Sequence, residues 1–390
     1  MSPADQTVAV VARPPRLRFL DGLRGVAAIV IVLHHVCSYG PLPEASLAHS
    51  DLARYLVEGI WENGRLAVQV FLVISGFTAA YILPPGRLKI GAVGRLFLQR
   101  YLRLALPCAA AIALHFLLQF FVGERNLYPP LVEPFTVDQL GAHLLLLQNV
   151  LGYESLFVAY WYLGIEVQFS LLLLTLTALT RTWNPPAAIE RANEQLLLIL
   201  AGLATVSLVY WNTRPEYEAW APYFLGSYFV GVLVAFITLK RCAIVHFFGY
   251  AVVTLFAANW PEPRVRPLLA LAVGGLLLKA SRSDGLETWL SSRPFRFLGR
   301  ISYSLFLTHV PISRVILSLG FGRTGDDPTA AIGWMCLAVV VSLLFAWLFA
   351  ETIERQLVKM ISPTPQTKPK LAPLPTSPLP TSPSTPEPTR

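Results

Sequence analysis

Charged side chains are scarce in this 390-residue chain: they make up 14% of its residues, whereas 54% are hydrophobic. Average soluble domains carry about 25% charged residues, so this chain has too few to cover a globular surface in water. The composition therefore excludes a disordered chain and an ordinary soluble enzyme. Cysteine is scarce too, with four widely spaced copies and no CxxC or Cys/His spacing, so neither a metal site nor a disulfide framework is indicated.

Long apolar runs, by contrast, recur between Gly25 and Ala350. A helix that crosses the bilayer needs about 20 mostly apolar residues. We predict ten such helices, at residues 25–41, 65–83, 102–121, 157–180, 195–211, 222–239, 242–259, 268–280, 300–320 and 331–350. A further stretch, Leu140–Leu151, is too short to span and is interpreted as interfacial or re-entrant. The predicted fold is all-α: a polytopic membrane protein of about ten transmembrane helices.

The charges predict how these helices are oriented. Lys and Arg (31) outnumber Asp and Glu (23), which gives a net charge of +8. In helical membrane proteins basic residues collect in the cytoplasmic loops, and this rule explains the excess better than a nucleic-acid partner does. Ten spans with both termini cytoplasmic place every strong basic cluster on one side. We therefore expect a multi-pass protein of the inner or plasma membrane, with homo-oligomerisation left open.

Three segments follow from this topology. Residues 1–18 form a cytoplasmic N-terminal segment, and residues 19–355 form the transmembrane domain. Residues 356–390 are rich in Pro, Ser and Thr and contain a tandem PLPTS sequence. Such segments stay extended or disordered, so we predict a disordered cytoplasmic tail.

Ionisable groups inside membrane spans are costly unless paired or hydrated, so they are candidate functional residues. Arg24 and His35 lie eleven residues apart on the first span. Eleven residues turn a helix by about 1100°, about 20° past three full turns, and rise about 16 Å. The two side chains therefore share one face, with His35 roughly mid-membrane, whereas His34 points about 100° away. The His35 imidazole can take up a proton near neutral pH, and the Arg24 guanidinium can bind phosphate or polarise a carbonyl. The alternative is that Arg24 and His35 only anchor helix packing.

Other ionisable groups carry weaker predictions. Glu166 either orients a histidine or binds a sugar hydroxyl, or it forms a structural ion pair with an arginine. His309 either belongs to the site or bonds a carbonyl freed by Pro311. Arg100 and Arg103, three residues apart at the start of the third span, either bind an anionic group or only anchor the helix at the cytoplasmic interface. A further buried histidine, His115, is interpreted as structural.

Five segments together resemble the acyltransferase 3 family of membrane-bound O-acyltransferases. In chain order they are RFLDGLRGVAAIVIVLHH with Arg24 and His35, VFLVISGF with Ser75, QRYLRLALP with Arg100 and Arg103, WYLGIEVQFSLL with Trp161 and Glu166, and SYSLFLTHVP with Tyr303 and His309. The resemblance covers about residues 16–355. Ser170 and Phe306 stand where the family usually has tyrosine, which affects polar contacts in the pocket.

The resemblance implies an enzyme that transfers acyl groups other than aminoacyl groups. The donor would be cytoplasmic acyl-CoA, often acetyl-CoA, and the acceptor a sugar hydroxyl in a surface glycan, lipid-linked saccharide or glycoside. No cofactor beyond this cosubstrate and no metal is expected. His35 would act as general base or transiently accept the acyl group, with Arg24 and Glu166 also catalytic.

The remaining motif residues are predicted to bind substrate. Arg100 and Arg103, with Arg24, would hold the CoA phosphates or the thioester carbonyl. Ser75, Trp161, Tyr303 and His309 would contact substrate, and the Ser75–Gly76 step would let two backbones approach closely.

Two other functions compete with an acyltransferase. A transporter or flippase for a lipid-linked sugar would commonly show inverted repeats with broken helices, and the two halves of this sequence show no repeat. A membrane scaffold with a Pro-rich tail would not need His35 or Glu166 inside the bilayer.

Overall fold

The computed structural model describes residues 17–84, 86, 88, 90–122, 135–156 and 158–361, and all regular structure within these ranges is helical. The helices are α1 (Arg18–Ser38), α2 (Leu42–Ser46), α3 (Asp51–Asn63), α4 (Val68–Tyr81), α5 (Ile90–Val122), α6 (Val137–Leu144), α7 (Trp161–Trp183), α8 (Ile189–Val209), α9 (Ala221–Thr238), α10 (Val245–Ala258), α11 (Val265–Ser281), α12 (Gly285–Thr288), α13 (Arg293–Thr324), α14 (Pro328–Phe349) and α15 (Arg355–Ile361). A π-helical turn, Ala350–Glu354, joins α14 to α15.

The predicted all-α membrane fold is confirmed. Eight described helical segments are long and apolar enough to cross a membrane, one of them the continuous run Asp51–Tyr81 that contains α3 and α4. Each of the ten predicted spans overlaps a helix, but α10 has 14 residues and α11 has 17, which are shorter than a full crossing usually needs. The prediction of ten spans with both termini cytoplasmic therefore stays a prediction.

The predicted boundary between the last helix and the tail shifts. The last helix continues to Ile361, so residues 356–361, assigned above to the tail, are helical. Apolar Leu357, Val358 and Met360 extend the preceding helical pattern there. Residues 362–390 lie outside the described ranges, as do residues 1–16 of the N-terminal segment.

The stretch Leu140–Leu151 does not cross the bundle as a helix. Its only helical part is the end of the eight-residue helix α6. The chain then turns at Leu146, where φ is +57°, and the Leu146 carbonyl packs beneath Gly164 of α7. This short insertion positions the N-terminal end of α7.

Helices α4 and α9 approach each other with backbones in contact at the centre of the bundle. A Cβ added to Gly76 would lie 2.0 Å from the Tyr228 carbonyl oxygen, and one added to Gly231 would lie 1.9 Å from that of Val73. Close helix crossings in membranes commonly depend on such small residues. The predicted close approach at Ser75–Gly76 is thus confirmed.

Helices α1 and α13 are packed just as closely. A Cβ on Gly25 would lie 2.7 Å from the Gly299 amide nitrogen, and one on Gly299 would lie 2.4 Å from the Asp21 carbonyl oxygen. This crossing sets the distance between the side chains of the two helices further along their lengths.

Candidate functional site

Helices α1 and α13 bring two histidines together inside the bundle. The His35 Nδ1 and His309 Nε2 atoms lie 2.7 Å apart, although 274 residues separate them in the chain. Both side chains are buried, and their rings are nearly parallel, at 8°. The two residues form a hydrogen-bonded pair, which we call the histidine pair.

The hydrogen bonds of the histidine pair determine its tautomers. His309 Nδ1 lies 2.7 Å from the Leu305 carbonyl oxygen, which can only accept, so Nδ1 carries the proton. In neutral His309 the Nε2 atom is then an acceptor, and His35 Nδ1 must donate to it. The free lone pair of neutral His35 is therefore on Nε2, for which the described residues supply no hydrogen-bond partner. A neutral imidazole in this state is a proton acceptor.

The alternative role of His309, bonding a carbonyl freed by Pro311, is wrong. Pro311 has no N–H for the Leu307 carbonyl, four residues earlier. That carbonyl instead accepts a hydrogen bond of 2.9 Å from the Tyr160 hydroxyl. His309 is therefore not needed to satisfy it and bonds Leu305 and His35 instead.

The two histidines at the end of α1 face different surroundings, as their 100° offset predicts. His34 Nδ1 lies 3.4 Å from the Ile60 carbonyl oxygen. Its Cβ packs against Gly64, so His34 faces α3 and the turn after it. Only His35 of the two contacts His309.

Arg314 is a charged neighbour of the histidine pair that the sequence analysis missed. Its guanidinium lies 4.8 Å from the Tyr39 ring centre, and the Tyr39 and His35 ring centres are 5.6 Å apart. Arg314 and His309 also interact electrostatically with His115, interpreted above as structural only. The available signal was an arginine inside the predicted span 300–320, five residues after His309.

A second polar group surrounds Glu166, and we call it the glutamate cluster. One carboxylate oxygen accepts from the Ser75 hydroxyl at 2.6 Å and forms an ion pair with Arg100 at 3.4 Å. The other oxygen accepts a short hydrogen bond from the Tyr162 hydroxyl. The alternative role given above for Glu166, an ion pair with an arginine, is thus present, and Tyr162 is a member that the sequence analysis missed.

Aromatic contacts connect the glutamate cluster to the histidine pair. The Tyr162 ring centre lies 5.9 Å from that of Phe306, which is one helical turn before His309 on α13. Arg24 is close enough to Tyr162 for an electrostatic interaction. On this face of α1, Arg24 therefore lies near Tyr162 of α7, and His35 contacts His309 of α13.

Helix α5 begins earlier than predicted, and Arg100 and Arg103 on it have different surroundings. It starts at Ile90, so Arg100 lies inside the helix rather than at its start. Arg100 is half-buried against Glu166, whereas Arg103 is exposed and interacts electrostatically with Glu354. The reason is that positions three apart on a helix differ by about 60° in direction.

Glu354 is a further residue that the sequence analysis missed. It lies in the π-helical turn and accepts a short hydrogen bond from the Ser304 hydroxyl of α13. Turns of this kind are frequent at functional sites. Its carboxylate adds an acidic group near Arg103.

Two other predicted binding residues have defined contacts. The Tyr303 hydroxyl donates to the Leu104 carbonyl at 2.7 Å and so ties α13 to α5. Trp161 stacks on Phe224, with ring centres 5.5 Å apart, and meets Tyr162 edge-on at 6.1 Å. Trp161 lies at the N-terminal end of α7, about 7.5 Å of helix rise from Glu166.

Comparison with known proteins adds one finding. A family model described as an acyltransferase domain, that of the acyltransferase 3 family, matches residues 17–351. This range covers most of the chain and includes the histidine pair and the glutamate cluster. No curated protein and no solved structure matches the chain.

Proposed function

Because the chain belongs to the acyltransferase 3 family and is a multi-pass membrane protein, we propose that it is an O-acyltransferase of acyl-CoA and sugars. It would move an acyl group, in the simplest case acetyl, from cytoplasmic acyl-CoA to a hydroxyl of a surface glycan, lipid-linked saccharide or glycoside. The observation that carries the proposal is the pair of 2.7 Å contacts from His309 to the Leu305 carbonyl oxygen and to His35 Nδ1, from which we infer that the Nε2 lone pair of His35 is available as a base.

The reaction balances with His35 as a single proton carrier. His35 Nε2 takes the proton of the acceptor hydroxyl while its oxygen attacks the thioester carbonyl carbon. The C–S bond breaks, an ester C–O bond forms, and the imidazolium returns its proton to the CoA thiolate. His309 is a positioning residue, since its acceptor atom holds the His35 Nδ1–H and aligns the ring.

The arginines and Glu166 take supporting roles in this proposal. Arg24 would contact the phosphates or the thioester carbonyl, because a guanidinium offers several fixed donors to anionic and carbonyl oxygens. Glu166 holds Arg100, Ser75 and Tyr162 in place beside that region. Its charge also compensates Arg100 inside the protein.

The test is thioester consumption by purified protein in lipid nanodiscs. With labelled acetyl-CoA and a mixture of sugar acceptors, His35→Ala should lower turnover by about 10²–10⁴-fold, the usual contribution of a general base. His34→Ala is the matched control and should retain most activity. Added imidazole should partly restore His35→Ala, because a small base fits where the ring is removed.

The competing functions give different results in the same assay. A transporter or a scaffold would consume no thioester in the wild type. Equal turnover of His35→Ala and wild type would exclude the histidine mechanism while leaving an acyltransferase possible. Label that stays on the wild-type protein after rapid denaturation, and is absent from His35→Ala, would assign a transient acyl-histidine instead of a pure general base.

A further inference from the structure

A small cavity lies at the end of the bundle where α1 ends and α7 begins. Its volume is about 210 Å³, and it is lined by Arg65, Asn149, Ser155, Trp161, Glu218, Ala219 and Phe224. Arg65 follows Gly64, which packs against His34 near the end of α1. The predicted topology places this end on the outer side of the membrane, opposite Arg24.

The aromatic wall of the cavity belongs to α7 and α9. Trp161 and Phe224 stack, as described above, and Trp161 is half-buried. The indole N–H of Trp161 has no hydrogen-bond partner among the described residues, so a donor beside the cavity remains available. An aromatic surface with one free donor suits a ligand that has both C–H faces and hydroxyl groups.

The polar wall is held in place by the glutamine amide of α7. The Gln168 side chain donates to the Ala219 carbonyl at 3.2 Å and accepts from the Ala221 amide at 2.8 Å. This double contact fixes the loop that carries Glu218 against α7. The wall is therefore preorganised, which lowers the entropic cost of binding.

Glu218 remains a carboxylate at neutral pH. Its two oxygens bond Arg266 at 2.8 Å and Arg65 at 3.3 Å. Partial burial raises the pKa of Glu218, but the hydrogen bond from Arg266 and the charges of both arginines outweigh it, so this pKa lies below its ordinary value. Of the lining residues, Arg65 and Glu218 carry opposite charges that compensate each other. Because Glu218 is paired with both arginines, neither guanidinium is left unpaired at the cavity to bind a phosphate, which favours a neutral polar ligand.

We propose that this cavity binds one neutral pyranose ring of the acceptor on the outer side, which rests on the proposed acyltransferase function. Trp161 and Phe224 would pack against the C–H face of the ring. The Glu218 carboxylate, the Asn149 amide and the Ser155 hydroxyl would bond its hydroxyl groups.

A row of aromatic side chains leads from the cavity to α13, the helix that carries His309. Trp161 meets Tyr162 edge-on, and Tyr162 meets Phe306, one turn before His309. A sugar ring in the cavity would leave the next ring or an exocyclic hydroxyl to extend along these side chains. The pyranose site therefore selects the acceptor, and the histidine pair acts on it.

Saturation-transfer NMR on the full chain in lipid nanodiscs tests the proposal, since no glycoside detergent then competes. The probes are the methyl pyranosides of glucose, N-acetylglucosamine, mannose and rhamnose, with glucose 6-phosphate as the charged comparison. At least one neutral pyranoside should bind the wild type. Trp161→Ala, Asn149→Ala and Glu218→Gln should each weaken its binding about tenfold or more. Trp61→Ala is the control, because Trp61 is 55% exposed at the same end and does not line the cavity.

Three results would contradict the pyranose site. Unchanged binding in Trp161→Ala and Asn149→Ala, binding of the phosphate sugar alone, or no binding of any neutral pyranoside would overturn the proposal. Asn149→Ala removes a half-buried side chain and keeps the test valid if Trp161→Ala fails to fold. Acetyl-CoA consumption in the same nanodiscs is scored separately: His35-dependent turnover without pyranoside binding refutes this subsite and leaves the acyltransferase function standing.

Discussion

Arg24 differs from Arg100 of α5 in having no bound partner. Within the described ranges it forms no hydrogen bond or ion pair, whereas Arg100 is paired with Glu166. Arg103 is exposed and near Glu354. A guanidinium that is not engaged within the protein is the one best able to bind a donor phosphate or carbonyl.

We therefore expect Arg24→Ala to raise the KM for acetyl-CoA more than Arg103→Ala does. Losing a charge-assisted contact costs about 1.5–3 kcal/mol, which corresponds to roughly 10- to 150-fold. Steady-state kinetics with varied acetyl-CoA measures the effect, and Arg191→Ala, an exposed site on α8, controls for the loss of one positive charge. Identical KM values for all three variants would show that Arg24 does not bind the donor and only anchors its helix.

Some features of the candidate site could be predicted from the sequence, and others could not. The Arg24–His35 face follows from helical periodicity alone, and the structure agrees with it. Arg314 and Tyr162 were missed, although both lie in predicted spans, because nothing local marks which polar groups meet across the bundle. The partner of Glu166 was likewise open, since several arginines were candidates and only packing selects Arg100.

At the level of whole helices, the α4–α9 crossing positions Ser75 of the glutamate cluster. Gly231 of α9 is in direct contact with the α4 backbone at Val73, two residues before Ser75. The crossing is therefore sensitive to any added side-chain volume.

We predict that Gly231→Ala destabilises the protein by several kcal/mol, because its Cβ would lie 1.9 Å from a backbone oxygen that cannot rotate away. Thermal unfolding and the yield of monodisperse protein measure the loss. Gly249→Ala on α10, where no atom lies within 4 Å of an added Cβ, should be neutral or slightly stabilising. Equal melting temperatures for the two variants would show that the helices tolerate separation.

The loop before α9 predicts a pH dependence. Glu218 faces Arg65, Arg266 and Tyr223, and its pKa lies below the ordinary value of about 4.3. A depressed carboxyl pKa contributes stability that is complete above the ordinary value and is lost as the pH falls through the lower folded value. The contribution of Glu218 to the melting temperature should therefore be constant from pH 7 to about pH 5 and be lost as the pH falls further, through the depressed pKa of the folded protein.

Differential scanning of wild type and Glu218→Gln at each pH isolates this contribution. The variant should melt lower at neutral pH, and the gap should close in acid. Glu216→Gln, an exposed change two residues earlier, should show no such gap. A gap of constant size at every pH would mean that the charge of Glu218 is not involved.

For the whole molecule, the predicted topology places the basic ends of the helices on the cytoplasmic side and the cavity on the outer side. Arg24 lies in the second turn of α1, which begins at Arg18, and Trp161 is the first residue of α7, so these two helices begin at opposite ends in that topology. Donor and acceptor would then approach the histidine pair from opposite sides of the membrane.

The placement of the C-terminus tests the whole arrangement. Ser377→Cys lies in the predicted cytoplasmic tail, outside the described residues, so it should resist a membrane-impermeant thiol reagent in intact cells and react after lysis. The wild type, with its four native cysteines, gives the background. A truncation after Ile361 should keep acyl transfer in vitro. Labelling of Ser377→Cys in intact cells would contradict an even number of spans and the cytoplasmic position of Arg24.

The sequence by itself determined that this is an all-helical membrane protein and predicted that His35 and Glu166 lie inside it, where both side chains are buried. Those properties depend on local apolar length and on helical periodicity, which a linear pattern records. Only the tertiary structure decided that His35 meets His309 across 274 residues and that the Leu307 carbonyl is satisfied by Tyr160. It also decided that Gln168 holds the Glu218 loop over Trp161. These pairings depend on which helices pack together and at what distance. Both are determined by steric contacts between residues far apart in the chain, such as those at Gly25 and Gly76.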